Sequence, residues 1–450
     1  MSVNSDLLRV TDQNSARATA FMMALHMWRV LAGIATIALV ASIFSVELQG
    51  LYYAFAGIVA MQGMFELGMN IAVMNATARE WARSTNESEM QLARPHEASD
   101  GLLGVGRAAF TWYLGAGAIF VVLVGPIGFI FLDIPATHQT SWRMPWTFLV
   151  LLTGLQLASV PIATLLEGCG RLADVVRMRF WFVAVGSLAS IATIAGDGGL
   201  WAMIVASTIT GPVFAIALVR RHKLFFQMFL RKPALPSSKW MSGMWPMQWR
   251  LAIQNVAAYA ATHFLTVLLF QLHGPAVAGR FGMSWQIAST LNQLSMTPAQ
   301  ARAPTFAAYA ARAQFEILDR VWRVSGLQSV ALIVCSSVAV LAMLAHLGVQ
   351  YPTLSSRLLL PNELGFLLLA TIFAVVVQCE ALYLRAFGRE PFHVVAVICS
   401  AIGVGMAYLL GVKYQSMGVV LAYLLASAIS LVWATALFAT LRLAWRKESG

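Results

Sequence analysis

Charged residues are scarce in this chain. They make up 11% of its 450 residues, whereas a soluble domain carries roughly 25%. Hydrophobic residues reach 59%, and the mean hydropathy is +0.73. This composition excludes an ordinary soluble domain. It predicts an all-α polytopic membrane protein, because a helix satisfies its own backbone hydrogen bonds in lipid.

The sequence also lacks the common signatures of catalysis. It contains no G-x-S-x-G, no H-E-x-x-H and no G-x-x-x-x-G-K-[ST], which are typical of serine hydrolases, zinc proteases and nucleotide-binding loops. Cys169, Cys335, Cys379 and Cys399 lack metal-type spacing, and we interpret them as small buried hydrophobic residues. We therefore expect no enzyme, no metal and no cofactor. Without a nucleotide-binding loop, any transport by this chain would use a gradient, with H⁺ and Na⁺ both open as coupling ions, or product removal.

Apolar runs long enough to cross a bilayer recur along the chain. A membrane-spanning helix needs about 20 predominantly apolar residues. We place twelve such spans near residues 20–46, 51–76, 108–132, 146–169, 178–196, 199–219, 247–272, 276–298, 324–349, 358–384, 391–412 and 416–441.

The distribution of positive charge orients these spans. With a cytoplasmic N-terminus, 25 of the 30 Lys and Arg residues fall in inside segments, and only Arg143, Arg357 and Lys413 fall outside. Arg29 and Arg280 fall within spans. The positive-inside rule therefore predicts that both termini are cytoplasmic. The same rule explains the net charge of +11 without a nucleic-acid partner.

A long basic connector divides the chain into two halves. We predict an N-terminal six-helix bundle at 1–225, a cytoplasmic linker at 226–246 and a C-terminal six-helix bundle at 247–450. ELGMN (66–70) in the first half resembles QLSMT (293–297) in the second, although a chance match stays open. Duplicated halves are common in transporters. The pattern favours two pseudo-symmetric bundles around a central cavity.

Polar residues recur at helical spacing in three spans. Gln62, Glu66 and Asn70 are spaced by four and would share one face of span 2. Two further rows consist of Asn255, Tyr259, His263 and Thr266 on span 7, and of Gln286, Thr290, Gln293 and Thr297 on span 8. Because lipid cannot satisfy such groups, the rows predict the walls of a cavity.

Ionisable residues inside the spans each leave two interpretations. A charge near the bilayer centre costs about 2.5–3.5 kcal/mol, so Glu66 is either a coupling acid or a structural partner of Arg29. Arg29 and Arg280 either line the cavity or extend to the membrane surface. Arg280 also lies about 120° from the polar row of span 8. His263 is either a proton carrier or a hydrogen-bond partner between helices.

Two further acids lie close to predicted span ends. Glu167 precedes Arg171 by four residues, and Glu380 precedes Arg385 by five. Both arrangements predict ion pairs at the membrane surface, where paired charges stay in contact with water.

Four segments together resemble a known group of transporters. They are VELQGLYYAFAGIVAMQGMFELGMNIAVMNATARE (46–80), LLEGCGRLADVVRMRF (165–180), HGPAVAGRFGMSWQIAS (273–289) and EALYLRAFGREPF (380–392). In order and spacing they are similar to bacterial polysaccharide-unit flippases of the multidrug/oligosaccharidyl-lipid/polysaccharide exporter superfamily. The resemblance covers most of the chain, although each motif alone is only moderately specific.

The resemblance implies a function and a set of partners. Such flippases move an oligosaccharide linked to undecaprenyl diphosphate from the inner to the outer leaflet of the bacterial inner membrane by alternating access. The implied partners are that lipid-linked oligosaccharide, membrane lipids and the polymerase and chain-length proteins of polysaccharide synthesis. Arg29 and Arg280 would hold the diphosphate, although several relatives have a neutral residue where this chain has Arg280. Gln62, Asn70, Asn255, Gln286 and Gln293 would line the cavity.

Two alternatives stay open. One is a multidrug or cation antiporter of the same superfamily. Such an antiporter would need coupling acids in its cavity, and Glu66 is the only strong candidate for that role. The other is a scaffold or enzyme of polysaccharide assembly. The short outer loops and the missing catalytic motifs weigh against an enzyme, but not against a scaffold.

Overall fold

The computed structural model of the protein describes residues 2–66, 68–84, 100–230, 253, 256–257, 259–350, 355–387 and 392–449. In these ranges every regular element is helical. The α-helices are α1 (Ser2–Ile43), α2 (Val46–Val59), α3 (Gln62–Glu66), α4 (Met69–Ser84), α5 (Asp100–Leu132), α6 (Arg143–Leu166), α7 (Leu172–Ala195), α8 (Trp201–Thr208), α9 (Phe214–Arg221), α10 (Lys223–Gln227), α11 (Phe264–His273), α12 (Pro275–Ala301), α13 (Ala303–Ala311), α14 (Phe315–Gln350), α15 (Pro361–Arg385) and α16 (His393–Ser449).

These helices confirm the all-α polytopic fold class. They fall on the predicted spans, with much of the first half of span 7 (247–272) lying outside the described residues. Seven helical stretches in the described ranges are long and apolar enough to cross a membrane. Two of them, Arg143–Ala195 and His393–Arg442, each contain two predicted spans. Non-helical backbone separates the paired spans, at Gly170 (φ 78°) in the first stretch and at Gln415 (φ 53°) in the second.

Span 2 is not the single helix that the sequence predicts. The chain leaves helical geometry at Ala60–Met61, and again before α4, where Gly68 has a φ of 69°. A positive φ costs glycine little but strains other residues, so Gly68 permits the second break. The prediction that Gln62, Glu66 and Asn70 share one continuous helix face is therefore wrong, because the helix is interrupted between Glu66 and Asn70.

The chain forms two compact units. The first comprises Met1–Ile43 and Val59–Asn255, and the second comprises Phe44–Ile58 and Val256–Gly450. Within the first unit α1 packs along α7 and α5 along α6, and within the second α12 packs against α14 and α15 against α16. The first part of span 2 therefore packs with the second half of the chain. Most of the predicted linker at 226–246 lies outside the described residues.

Large apolar side chains cover the surfaces of both units. Ile130 is 74% exposed in the first unit, and Val432 is 71% exposed in the second. Apolar surface on this scale requires lipid rather than water, as expected for a multi-pass membrane protein. Three of the four cysteines are buried as predicted, but Cys335 is exposed on α14. Its burial was a wrong prediction, because a small apolar thiol is equally compatible with a lipid-facing position.

Candidate functional site

The structure distributes the predicted site residues over both compact units. Arg29, Gln62, Glu66 and Asn70 lie in the first unit, and His263, Arg280, Gln286 and Gln293 lie in the second. Asn255 lies outside the described residues. Within each unit, the side chains that can contact a candidate residue are those on the helices packed against its own helix.

Arg29 is an exposed cation within the first membrane-length segment. The apolar stretch of α1 begins at Ala20, so Arg29 lies about 14 Å along the helix axis from that end. The preceding residue, Trp28, donates from its indole nitrogen to the Ser187 hydroxyl at 2.7 Å. This hydrogen bond holds α1 against α7, so it fixes the position of Arg29 on α1 relative to α7.

The electrostatic surroundings of Arg29 are positive. The charge that acts on its guanidinium is the like charge of Arg179, on the neighbouring helix α7. Arg179 is itself paired with Glu167 at 2.8 Å. No ion pair joins Arg29 to Glu66 in the part of the chain that the structure describes, so the predicted pairing is not formed. The interrupted geometry of span 2 gives Glu66 no simple register with Arg29 on α1.

Glu66 lies half-buried at the end of α3, beside α5. The Phe65 ring contacts the Phe120 ring edge-on at a centroid distance of 5.4 Å, which positions α3 on α5. The Glu66 carboxylate interacts electrostatically with Tyr113. The Tyr113 side chain is fully buried, and its hydroxyl has no hydrogen-bond partner among the described residues. An acid beside a phenol can gain, lose or pass a proton. Sequence analysis missed Tyr113, whose signal is a phenol hydroxyl within a largely apolar span.

Asn70 and Gln62 have different surroundings despite their regular spacing. The Asn70 side-chain oxygen accepts a hydrogen bond of 2.5 Å from the Thr164 hydroxyl, which connects α4 to α6. Its amide nitrogen remains available as a donor. Gln62 is half-buried at the first residue of α3. Asn70 thus supports the packing of the first unit, whereas Gln62 lies at a helix break, where polar groups can face water or ligand.

Two predicted surface ion pairs are replaced by other contacts. Glu167 pairs with Arg179 instead of Arg171, because the non-helical backbone at Gly170 removes the expected four-residue relationship. Glu380 accepts a hydrogen bond of 2.9 Å from the Thr435 hydroxyl. No ion pair joins Glu380 to its expected partner within the described ranges, since five residues place two side chains about 140° apart on a helix.

The three candidates on α12 do not share one face. Gln286 and Gln293 are seven residues apart and both exposed, and Arg280 is half-buried on a different face. The Thr290 hydroxyl, which belongs to the same polar row, donates to the Gln286 carbonyl at 2.8 Å. The Gln286 amide nitrogen in turn donates to the Thr290 hydroxyl at 3.5 Å. The Gln286 side-chain oxygen and the Gln293 amide are therefore the exposed amide groups that this face of α12 offers to a ligand.

His263 lies at a turn immediately before α11. Its exposed ring stacks on Tyr259 at a centroid distance of 6.2 Å, and the Tyr259 hydroxyl donates to the Gly57 carbonyl at 3.1 Å. The opposite end of α2 carries Gln49, a buried residue that sequence analysis missed because it precedes the apolar run. The Gln49 amide nitrogen donates to the Gly279 carbonyl at 3.0 Å.

Comparisons with known proteins identify the fold. No protein-family model matches the chain, and no curated protein matches it. An inward-facing multidrug-resistance transporter of the MATE family and MOP superfamily superimposes with a TM-score of 0.62 at 14% identity, covering 94% of this chain and 99% of that one. The eukaryotic MATE transporter AtDTX14 gives 0.58 at 13% identity, covering 98% of each chain.

A lipid flippase has the same architecture. The lipid II flippase MurJ, in an inward closed conformation, gives a TM-score of 0.57 at 12% identity, covering 92% of this chain and 86% of that one. Identities this low establish the fold and leave the substrate open. The chain therefore has the fold of MOP-superfamily transporters, over nearly its whole length.

Proposed function

We propose that the protein flips a lipid-linked oligosaccharide, carried on undecaprenyl diphosphate, from the cytoplasmic to the outer leaflet by alternating access. The observation that carries this proposal is the position of Arg29. It is an exposed cation far inside a membrane-length helix, without an acidic partner among the described residues and beside the like charge of Arg179. Such a charge is costly in a membrane unless an anion binds it.

A diphosphate is the anion that best suits this surrounding. Phosphate oxygens accept charge-assisted hydrogen bonds from the planar guanidinium group. These bonds are stronger and more directional than hydrogen bonds to a neutral group. The like charge of Arg179 strengthens the attraction for a multiply charged ligand. A monovalent organic cation, in contrast, would be repelled from this part of the first unit.

The neutral amides suit the glycan part of the cargo. Gln286 and Gln293 are exposed on one face of α12, and Gln62 lies at a helix break. Amide groups both donate and accept hydrogen bonds, as sugar hydroxyls do. The structural similarity to MurJ, which is named as a lipid II flippase, supports the same class of substrate.

The cellular setting follows from the same proposal. We infer an inner-membrane protein with both termini in the cytoplasm, on the basis of its charge distribution. Its direct partners would be the lipid-linked oligosaccharide and membrane lipids. The polymerase and chain-length proteins would act on the product at the outer leaflet.

The test is export of the cognate glycan by cells that lack the chromosomal copy and carry variants at matched membrane levels. We expect Arg29→Ala to lower export by about tenfold or more, since a charge-assisted hydrogen bond contributes about 1.5–3 kcal/mol, and Arg29→Lys to retain part of it. Arg143→Ala is the matched control, because Arg143 is a surface arginine paired with Asp133. Full export from the Arg29→Ala/Arg280→Ala double variant would rule out the proposal.

A second candidate function is favoured by Glu66 and Tyr113. A carboxylate that interacts with a buried phenol suits an antiporter driven by H⁺ or Na⁺, as does the likeness to MATE transporters. Purified protein in liposomes would distinguish the two functions. Antiport predicts ethidium movement on an imposed pH or Na⁺ gradient, abolished by Glu66→Gln and insensitive to Arg29→Ala. Flipping predicts movement of the lipid-linked oligosaccharide, abolished by Arg29→Ala and insensitive to Glu66→Gln.

A further inference from the structure

The segment Phe44–Ile58 packs in the second unit through glycines as well as through large buried side chains. A Cβ atom added to Gly50 would lie 2.2 Å from the Pro275 carbonyl oxygen, and one added to Gly279 would lie 3.0 Å from the Gly50 nitrogen. Neither position can accept a larger residue without movement of the backbone. Helices α2 and α12 therefore meet backbone to backbone, as helices in membranes do when small residues line their contact.

The contact continues along α2. A Cβ atom added to Gly282 would lie 2.5 Å from the Tyr53 Cβ atom, and one added to Gly57 would lie 3.1 Å from the His263 carbonyl oxygen. The Tyr259 hydroxyl donates to the Gly57 carbonyl at 3.1 Å. We call this contact the α2 seam. On α2 it consists of Gln49, Gly50, Tyr53 and Gly57.

Gln49 supplies the polar contacts at one end of the α2 seam. Its side chain is 1% exposed, and its amide nitrogen donates to the carbonyl oxygens of Gly279 at 3.0 Å and Arg357 at 3.1 Å. Because both partners are acceptors, only the amide nitrogen can face them. The segment that carries Arg357 is in turn fixed on α12, since the Leu359 amide donates to the Ser284 hydroxyl at 3.0 Å.

The closed seam leaves two polar atoms unsatisfied. The side-chain oxygen of Gln49 and one terminal guanidinium nitrogen of Arg357 are buried with no hydrogen-bond partner among the described residues. A buried polar atom without a partner costs free energy that is recovered when water reaches it. Opening the seam therefore breaks two hydrogen bonds but solvates two other groups. This balance suits a contact that forms and separates repeatedly.

We propose that Gln49 is the latch of the α2 seam. It is a positioning residue that holds Phe44–Ile58 on α12 in one state of the transport cycle and releases this segment in the other. The charge distribution places this end of α12 on the outer side, so an open seam admits water from outside and a closed seam excludes it. The inference rests on the alternating-access part of the proposed function and is independent of the cargo.

The test measures access of water to α2 without any substrate. Ala54 is fully buried on α2, and a cysteine at this position (Ala54→Cys) reports opening by its rate of labelling with a membrane-impermeant maleimide added to intact cells. Gln49→Met preserves side-chain length but removes both hydrogen bonds. We expect it to raise the labelling rate about tenfold, which corresponds to about one hydrogen bond. Its melting temperature should stay unchanged, because the unsatisfied oxygen is removed as well.

Three comparisons make the result decisive. Gln271→Met, at an exposed glutamine on α11, is the matched control and should label at the parent rate. Gln49→Leu, which also fills the buried site without hydrogen-bonding groups, replaces Gln49→Met if the latter does not accumulate, and it should also label faster. Equal labelling of the Gln49 variants and the control would overturn the latch, and so would faster labelling with a parallel fall in melting temperature. Because no glycan is needed, failure of the latch leaves the proposed cargo untouched, and the reverse also holds.

Discussion

The Trp28 indole and the Ser187 hydroxyl are joined by a hydrogen bond of 2.7 Å, one residue before Arg29. This polar contact between α1 and α7 holds Arg29 beside the like charge of Arg179. Arg179 is itself paired with Glu167 at 2.8 Å, which offsets part of its positive charge. The cationic character of the first unit thus depends on residues that do not themselves need to contact a substrate.

Trp28→Phe should weaken transport without removing any charge. The variant loses one hydrogen bond between membrane helices, which is worth about 0.6–1 kcal/mol, and it loosens the position of Arg29. We expect a small fall in melting temperature and a loss of export smaller than that of Arg29→Ala. Trp201→Phe, at an exposed tryptophan on α8, is the matched control. An export defect as large as that of Arg29→Ala would show that Trp28 contacts the cargo directly.

Asp174 should make the stability of the first unit depend on acid pH. It lies between predicted spans 4 and 5, and it contacts Arg177 and Arg221, each at 3.0 Å, and His222 at 3.1 Å. Burial alone would raise the pKa of Asp174, but the hydrogen bond and charge of Arg221 and the charge of Arg177 hold that pKa below its usual value.

The sign of this effect follows from linkage. A carboxyl group with a lowered pKa contributes stability above its unfolded pKa of about 3.9, and that stability is lost as the pH falls through the folded pKa. Asp174→Asn should therefore lower stability at pH 7 by up to about 1 kcal/mol, as expected for a partly exposed network. The difference should shrink as the pH falls below about 3.9 and through the lower folded pKa. Melting curves of both proteins from pH 7 to pH 3 provide the measurement, and a constant difference would contradict it.

A disulfide across the α2 seam should stop the transport cycle. The Tyr53 Cβ atom would lie 2.5 Å from a Cβ atom added at Gly282, and a shift of about 1 Å reaches disulfide geometry. Oxidation of the Tyr53→Cys/Gly282→Cys variant should abolish export, and a reducing agent should restore it. Each single-cysteine variant is a control for the substitutions themselves. Export that is unaffected by a fully formed disulfide would show that the seam stays closed during transport.

Reporter fusions test the predicted orientation. Fusions after Lys232 should be cytoplasmic, and fusions after Gly198 and Lys413 should be external, because the outer loops contain only three of the positive charges. A phosphatase reporter is active outside and a fluorescent reporter inside, so each site is measured with both. Reversal at any one of these sites would break the twelve-span map.

Most of the fold was predictable because lipid imposes simple rules. Spans of about 20 apolar residues must be helices, so composition and length fixed their number and positions. Hydropathy does not detect local backbone geometry, however. It did not reveal the interruption of span 2 at Ala60–Met61 and Gly68, or the replacement of Arg171 by Arg179 as the partner of Glu167. The site was predictable as a set of residue types, but their pairing was not.

The sequence by itself determined the membrane class, the twelve helical spans and the presence of cations and amides at membrane depth, because each depends on the chemistry of one segment in lipid. Only the tertiary structure decided that Arg29 lies beside Arg179 rather than Glu66. It alone placed Tyr113 next to Glu66 and Gln49 on the carbonyls of Gly279 and Arg357. These contacts join residues far apart in the chain, and backbone packing at single glycines sets which side chains meet.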